Sequence, residues 1–253
     1  VFNHIKAFKQ FNWSLFNLLG LTVLLSMASA AFAQQPAVSK APLPKRIQAV
    51  YEVTKNGQPF AKVHEQFVIT DGSYKLESVT KGIGVYALFG ERVLTSSGEV
   101  TAQGLKPAHF ELQQGNNAKK ALLADFDWAK QTLRMTVKGK VKEVPLAAGT
   151  QDLASYAYQF MYLPAQLKDA ITVTLTTGKK LNQYQYRINP ESEPIATPAE
   201  QYRTLHLAQQ DQNKTDTKEL WLAEDHYYLP VRILMVDDNE QKLEQTLTEL
   251  HIE

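Results

Sequence analysis

The sequence predicts a mainly β protein: a strongly curved antiparallel sheet or partly open β-barrel with one short covering α-helix. Three observations lead there. Apolar and polar residues alternate singly along most of the chain, the period of a half-buried strand. Pairs such as Asn56-Gly57 and Asp71-Gly72 separate these runs, and they supply the positive φ angles that tight hairpins need. Only residues 150–164 carry a helical repeat, with Leu153, Ala157 and Phe160 on one face and Tyr156 and Leu163 beside them. A dozen or more short strands cannot stay one flat sheet, so they curl or split into layers.

The first 33 residues read as a cleaved signal peptide. Lys6 and Lys9 precede an apolar run over residues 13–28, and Ala31-Phe32-Ala33 places small residues where a signal peptidase cuts. A retained anchor is the alternative, although Asn17, Gly20 and Ser26 interrupt the run and it is short for a stable membrane span. Residues 34–45, with Pro36, Pro42 and Pro44, form a Pro-containing linker, and residues 46–253 form a single β-rich domain. The chain has no cysteine, which excludes disulfides, thiolate metal sites, a cysteine nucleophile and lipid attachment at a lipobox cysteine. The expected location is the periplasm, as an exported protein and not a lipoprotein. A net charge of +1, with basic residues scattered, gives no footprint for nucleic acid.

The strands follow in order. Residues 45–53 form the first, and Asn56-Gly57 turns it into a second whose inner face is Ala61, Val63, Phe67 and Ile69, with Glu65 as the exception. Asp71-Gly72 leads to a third, with Tyr74 and Leu76 inward. Residues 82–90 then interrupt the meander. Residues 92–101, 107–114, 118–126, 132–138 and 141–146 continue it, with turns at Gly104 and at Gly115-Asn116-Asn117. In the helical stretch, Asp152 is placed to accept the free amide near Ser155, and Pro164 ends a helix of about a dozen residues. Further strands carry Val173, Tyr186, residues 201–208, residues 219–224 and Leu229 to Met235. Pro230 suits a strand start or edge. Leu243, Leu247 and Leu250 fit a helix as well as a strand; Asp237-Asp238-Asn239, Thr246 and Thr248 favour a closing strand.

The chain resembles the uncharacterised exported bacterial family DUF3108 over about residues 51–250. The resemblance rests on the order of Asp71-Gly72 with Tyr74, Ser97-Gly98, Gly104-Leu105 with Pro107, and Asp125-Phe126-Asp127-Trp128. It continues through Gly149, Gln151-Asp152, Ser155, Glu193, Thr197-Pro198, Trp221-Leu222-Ala223 and Leu229-Pro230-Val231-Arg232. Leu153 stands where the family tends to have proline, and Ala199 and Glu200 stand where it favours glycine. The resemblance implies a curved antiparallel sheet in a periplasmic protein, and it supplies no activity or catalytic residue.

No catalytic constellation, cofactor motif or metal site emerges from the residues. Glu224-Asp225-His226 gathers ligand types, but neighbouring strand positions face opposite ways, so a polar turn is the simpler reading. Asp125 and Asp127 suit an Asx turn before Lys130 better than an acid-base pair. No glycine-flanked nucleophile serine is present. Two apolar groups remain: Tyr86, Leu88 and Phe89 between the glycines of residues 82–90, and the helix aromatics Tyr156 and Phe160. Core packing explains either group. As ligand-binding residues they describe a non-catalytic envelope protein that holds a hydrophobic or amphipathic molecule, such as a lipid, in a half-barrel. The alternative is a filled interaction module that docks on another envelope protein.

Overall fold

The computed structural model describes residues 43–115, 121–189, 193–210, 217–237 and 239–253. The proposed leader, most of the linker and the Gly115-Asn116-Asn117 turn beyond Gly115 lie outside these residues. Eight strands come first: β1 (Arg46–Lys55), β2 (Gln58–Thr70), β3 (Ser73–Gly82), β4 (Arg92–Thr101), β5 (Gly104–Gln114), β6 (Leu122–Asp127), β7 (Thr132–Val137) and β8 (Lys140–Pro145). A short β9 (Gln151–Asp152) leads into α1 (Ser155–Gln159), and β10 (Ala170–Thr176) and β11 (Leu181–Asn189) follow. The chain ends with a small hairpin of β12 (Ile195–Ala196) and β13 (Gln201–Tyr202), then β14 (Thr204–Gln209), β15 (Thr217–Ala223), β16 (Leu229–Val236) and β17 (Lys242–Ile252).

Among the described residues, fifteen strands form one open sheet in the order β8-β7-β6-β5-β4-β3-β2-β1-β17-β16-β15-β14-β11-β10-β9. The two arms of the meander join where β1 pairs antiparallel with β17. That pairing settles the last segment as a strand. All sheet pairings are antiparallel except β9 with β10. Pro230 stands in a central strand, but β17 pairs with β16 only from Arg232 onward, so proline costs no ladder bond on that side.

Local chemistry accounts for the hairpins and the bending. Asn56-Gly57, Asp71-Gly72 and Lys138-Gly139 all adopt positive φ at both positions, the geometry that suits a right-twisted two-residue turn. Register shifts at Val50/Tyr51, Val53/Thr54, Ser97/Gly98 and Trp221/Leu222 are bulges, which kink strands and raise their twist. At Gly98 a β-carbon would stand 2.8 Å from the Pro107 α-carbon, so this bulge admits only glycine.

The helical segment is shorter than its periodicity predicts. One turn of α-helix over Ser155–Gln159 passes into 3-10 turns at Phe160–Tyr162 and Pro164–Gln166. Backbone amides in so short a run need outside partners, and burial supplies the stabilisation that propensity cannot. Asp152 does what its position predicts: one carboxylate oxygen accepts from the amides of Ala154 (2.9 Å) and Ser155 (2.8 Å). The other accepts from the Ser96 hydroxyl at 2.6 Å, and Ser96 also bonds the Tyr74 hydroxyl. Gln159 bridges to β5, accepting from the Leu105 amide and donating to the Gln103 carbonyl. Gln151 donates to the Leu105 carbonyl. Tyr158 stacks on Phe67, with ring centroids 4.9 Å apart. The segment is thus fastened into the core on the inner face of the sheet.

Burial pushes the Asp152 carboxyl up to about 6, against the hydrogen bonds from Ser96, Ser155 and Ala154 that pull it down. The folded protein therefore takes up this proton before the unfolded chain does. Its contribution favours folding at low pH and is lost as pH rises through about 6. Asp152→Asn keeps an acceptor for the two amides and cannot ionise. Urea unfolding should show the wild type gaining up to about 3 kcal/mol relative to this variant between about pH 7.5 and about pH 4. A difference independent of pH would contradict the buried carboxyl.

Candidate ligand-binding site

The inner face of the sheet holds a cleft of about 140 Å³ beside the helical segment. Strand alternation sets its walls. Val63 and Glu65 come from β2, Ser78 and Thr80 from β3, Arg92 and Leu94 from β4, and Lys218, Ile233, Met235 and Gln245 from β15 to β17. The helical segment adds Leu153, Ala154, Tyr156 and Ala157. An adjoining recess of about 390 Å³ shares Lys218 and Met235 with the cleft and adds Phe60, Tyr184, Val236 and Leu243. Apolar side chains wall part of the recess, and Lys55, Gln209, Thr217, Asp237 and Gln241 complete its lining. Larger hollows on the outer face are walled mainly by polar side chains such as Gln48, His64, Gln66 and Glu77.

Glu65, the exception in an otherwise apolar face, is the polar anchor of this region. Its carboxylate accepts from the Ser78 hydroxyl (2.9 Å) and the Tyr158 hydroxyl (3.0 Å). Burial raises its pKa above the ordinary value, and the two hydroxyl bonds draw it back. Tyr51 and Tyr156 lie close enough for their own hydroxyls to be raised, first by burial and then by the Glu65 charge. Lys218 holds its ammonium over the Tyr156 ring at 5.4 Å and the Tyr184 ring at 5.2 Å, within cation-π range. Arg92 is half-buried, and among the described residues its guanidinium has no carboxylate partner; burial lowers its pKa.

The five candidate residues do not converge. Tyr156 is buried in the core and also lines the cleft. Phe160 is 1% exposed and sits in the core, outside the cleft wall. Tyr86 packs on Phe60, ring centroids 4.5 Å apart, at the edge of the mouth. Leu88 and Phe89 point to solvent in a 3-10 segment, Gly84–Phe89, that has no buried residue. A cover packed permanently on the sheet does not describe that segment. Sequence alternation does not single out Arg92, Thr80 or Lys218, and the strand expected at residues 219–224 leaves Lys218 outside it. The signal for them was parity: Thr80 shares the inward register of Tyr74 and Leu76, and Arg92 that of Leu94 and Ser96.

The other polar groups serve the fold. The Asp127 carboxylate accepts from the Lys130 amide at 2.9 Å, the Asx turn expected there. Asp125 instead pairs with His109 at 2.7 Å on the surface. Asp225 binds Arg203 and His226 binds Glu200, so the 224–226 run is a polar turn. Among the described residues, no group of three or more His, Cys, Asp or Glu side chains could hold a metal.

A family model described as a protein of unknown function, DUF3108, matches residues 50–248. No curated protein matches the sequence. A crystal structure of a beta-barrel-like protein of the domain of unknown function DUF1849 from Brucella abortus superposes with a TM-score of 0.54 at 12% identity. It covers 83% of this chain and 99% of that one. A candidate lipoprotein from Parabacteroides distasonis covers 83% of this chain and 97% of its own at 13% identity, with a TM-score of 0.35. The first likeness supports the barrel-like sheet.

The bond from Tyr158 to Glu65 joins the helix to the cleft floor. Tyr158→Phe should cost about 1–2 kcal/mol in chemical unfolding near neutral pH, because the carboxylate loses one of two donors in a buried setting. It should also move the Glu65 titration, followed by carboxyl NMR, further upward. An unmoved titration would mean that the hydroxyl does not hold the carboxylate.

Proposed function

The chain belongs to the DUF3108 family of proteins of unknown function, and on that premise we propose that it is a non-catalytic periplasmic protein that holds an amphipathic molecule in its half-barrel. One observation carries this reading: a recess walled in part by Phe60, Tyr184, Val236 and Leu243 adjoins a cleft lined by Glu65 and Arg92, and Lys218 lines both. Ligand sites commonly occupy about 300–1,000 Å³ with a few polar groups on apolar walls. The recess falls in that range, and the cleft extends it inward. Lys6, Lys9, the apolar run over residues 13–28 and Ala31-Phe32-Ala33 support export. Among the described residues no helix is long and apolar enough to cross a membrane.

A second reading rests on the segment beside the mouth. Val85, Leu88 and Phe89 are 70%, 86% and 72% exposed, more than isolated apolar side chains need to be. In that reading the segment docks on another envelope protein. Site-specific photo-crosslinking from position 88 in the periplasm should then yield a discrete adduct even when the cleft is plugged.

The full chain, expressed with its own leader in a Gram-negative host, should be recovered from the periplasmic fraction cut after Ala33. Solvent extraction and mass spectrometry should release a co-purifying amphiphile. Thr80→Trp, which fills the cleft from its rim, should lose that molecule while unfolding at an unchanged temperature. Recovery of an empty wild-type protein that also takes up no added amphiphile would overturn the reading.

A further inference from the structure

The cleft is asymmetric in charge, and this goes beyond the shape on which the amphiphile reading rests. Three charged side chains line it: Glu65, Arg92 and Lys218. Both oxygens of Glu65 accept from the neutral hydroxyls of Ser78 and Tyr158, so the acid is held by the wall and not by a cation. Lys218 is turned over two tyrosine rings. Arg92 differs. It stands half-buried at the first residue of β4, opposite Thr80, and among the described residues no acid meets its guanidinium. The nearest acidic neighbour in sequence, Glu91, is turned to Lys81 at 3.0 Å on the surface. A guanidinium removed from bulk water without a counter-charge is costly to keep, and five donors in a planar fork match a carboxylate or phosphate.

We propose that the amphiphile has an anionic head, and that Arg92, with Lys218 as a second cation, binds that head while the chain lies in the recess of Phe60, Tyr184, Met235 and Leu243. The inference rests on the amphiphile reading above and narrows it to one class: a single apolar chain ending in a carboxylate or a phosphate. A neutral or cationic head gains nothing from Arg92, and a cation meets repulsion. The lowered pKa of Arg92, caused by burial, agrees with an unanswered cation in a partly dry site.

Delipidated protein titrated with dodecanoate, dodecyl phosphate and dodecanol tests this, since the three differ only in the head. Wild type should bind at least one anion about tenfold more tightly than dodecanol, and added salt should weaken the anion preferentially. Arg92→Gln should erase the preference, change dodecanol affinity less than about twofold, and leave the ligand-free protein no easier to melt, because an unpaired buried charge has been removed. Preference for dodecanoate indicates a fatty-acid head, preference for dodecyl phosphate a phosphorylated lipid, and equal affinity the shared anionic chemistry; all three support the proposal. Equal binding of dodecanol and the anions by wild type would overturn the anionic assignment and leave the amphiphile reading standing. An equal loss of all three ligands in Arg92→Gln would do the same. Failure of every ligand to bind wild type would overturn both. The wild-type comparison decides the question even if the variant does not fold.

Discussion

The structure depends on burying one polar stretch, residues 150–159, against the inner face of a sheet. Thr150, Gln151, Asp152, Ser155 and Gln159 are all nearly inaccessible to water. Burying polar groups is costly unless they are hydrogen-bonded; Thr150 and Ser155 bond locally, to Ala147 and Asp152, while Gln151, Asp152 and Gln159 bond to the sheet. Gln151 and Gln159 satisfy backbone groups at the start of β5, Asp152 takes the Ser96 hydroxyl from β4, and Tyr158 reaches Glu65 on β2. These bonds have fixed lengths, so the segment dictates how closely β2, β4 and β5 curve around it. Gly104 belongs to the same constraint: its φ of +107° and bare α-carbon let the Gln159 amide lie against the turn.

That fastening explains why the interior is packed in one region and hollow in another. Phe67, Phe110, Leu133, Tyr158 and Phe160 form a continuous core around the segment. Beyond Tyr156, on β3, β4, β15 and β17, the inward positions change to Thr80, Arg92, Lys218 and Gln245. Long polar side chains keep their ends solvated and so do not close a hollow as leucine would. The sheet is also open, with β8 and β9 at its edges, so nothing in its hydrogen bonding forces the mouth shut.

The sheet was readable because its signals are local. Positive-φ pairs at residues 56–57, 71–72 and 138–139 need only their own residues to act, and alternation reports the buried face of each strand. The family resemblance rests on similarly local motifs, and the match over residues 50–248 agrees with it. The helix length was less readable. Leu153 to Leu163 keeps the period, but the backbone tightens to 3-10 geometry at Phe160, where the segment is fully buried and must follow the sheet rather than its own repeat. The placement of the candidate aromatics was less legible for a related reason. Aromatic residues marked the helix, yet whether each ring packs or lines a hollow depends on partners far along the chain. Tyr156 and Phe160 belong to one core cluster, and Tyr156 also lines the cleft and meets Lys218. Glu65 broke the pattern visibly in the sequence, and only the Ser78 and Tyr158 hydroxyls explain why it is tolerated there.

The pairing that does not occur is as informative as those that do. Glu65 and Arg92 line one cleft, and an ion pair between them would answer both charges. Instead Glu65 is committed to two hydroxyls, one of them delivered by the helix. Burial favours its neutral form, which would weaken any claim it had on a cation. The helix therefore does more than fill the trough. By donating to the acid through Tyr158, it gives Glu65 a neutral partner held against the wall, and among the described residues Arg92 is left without an acidic one.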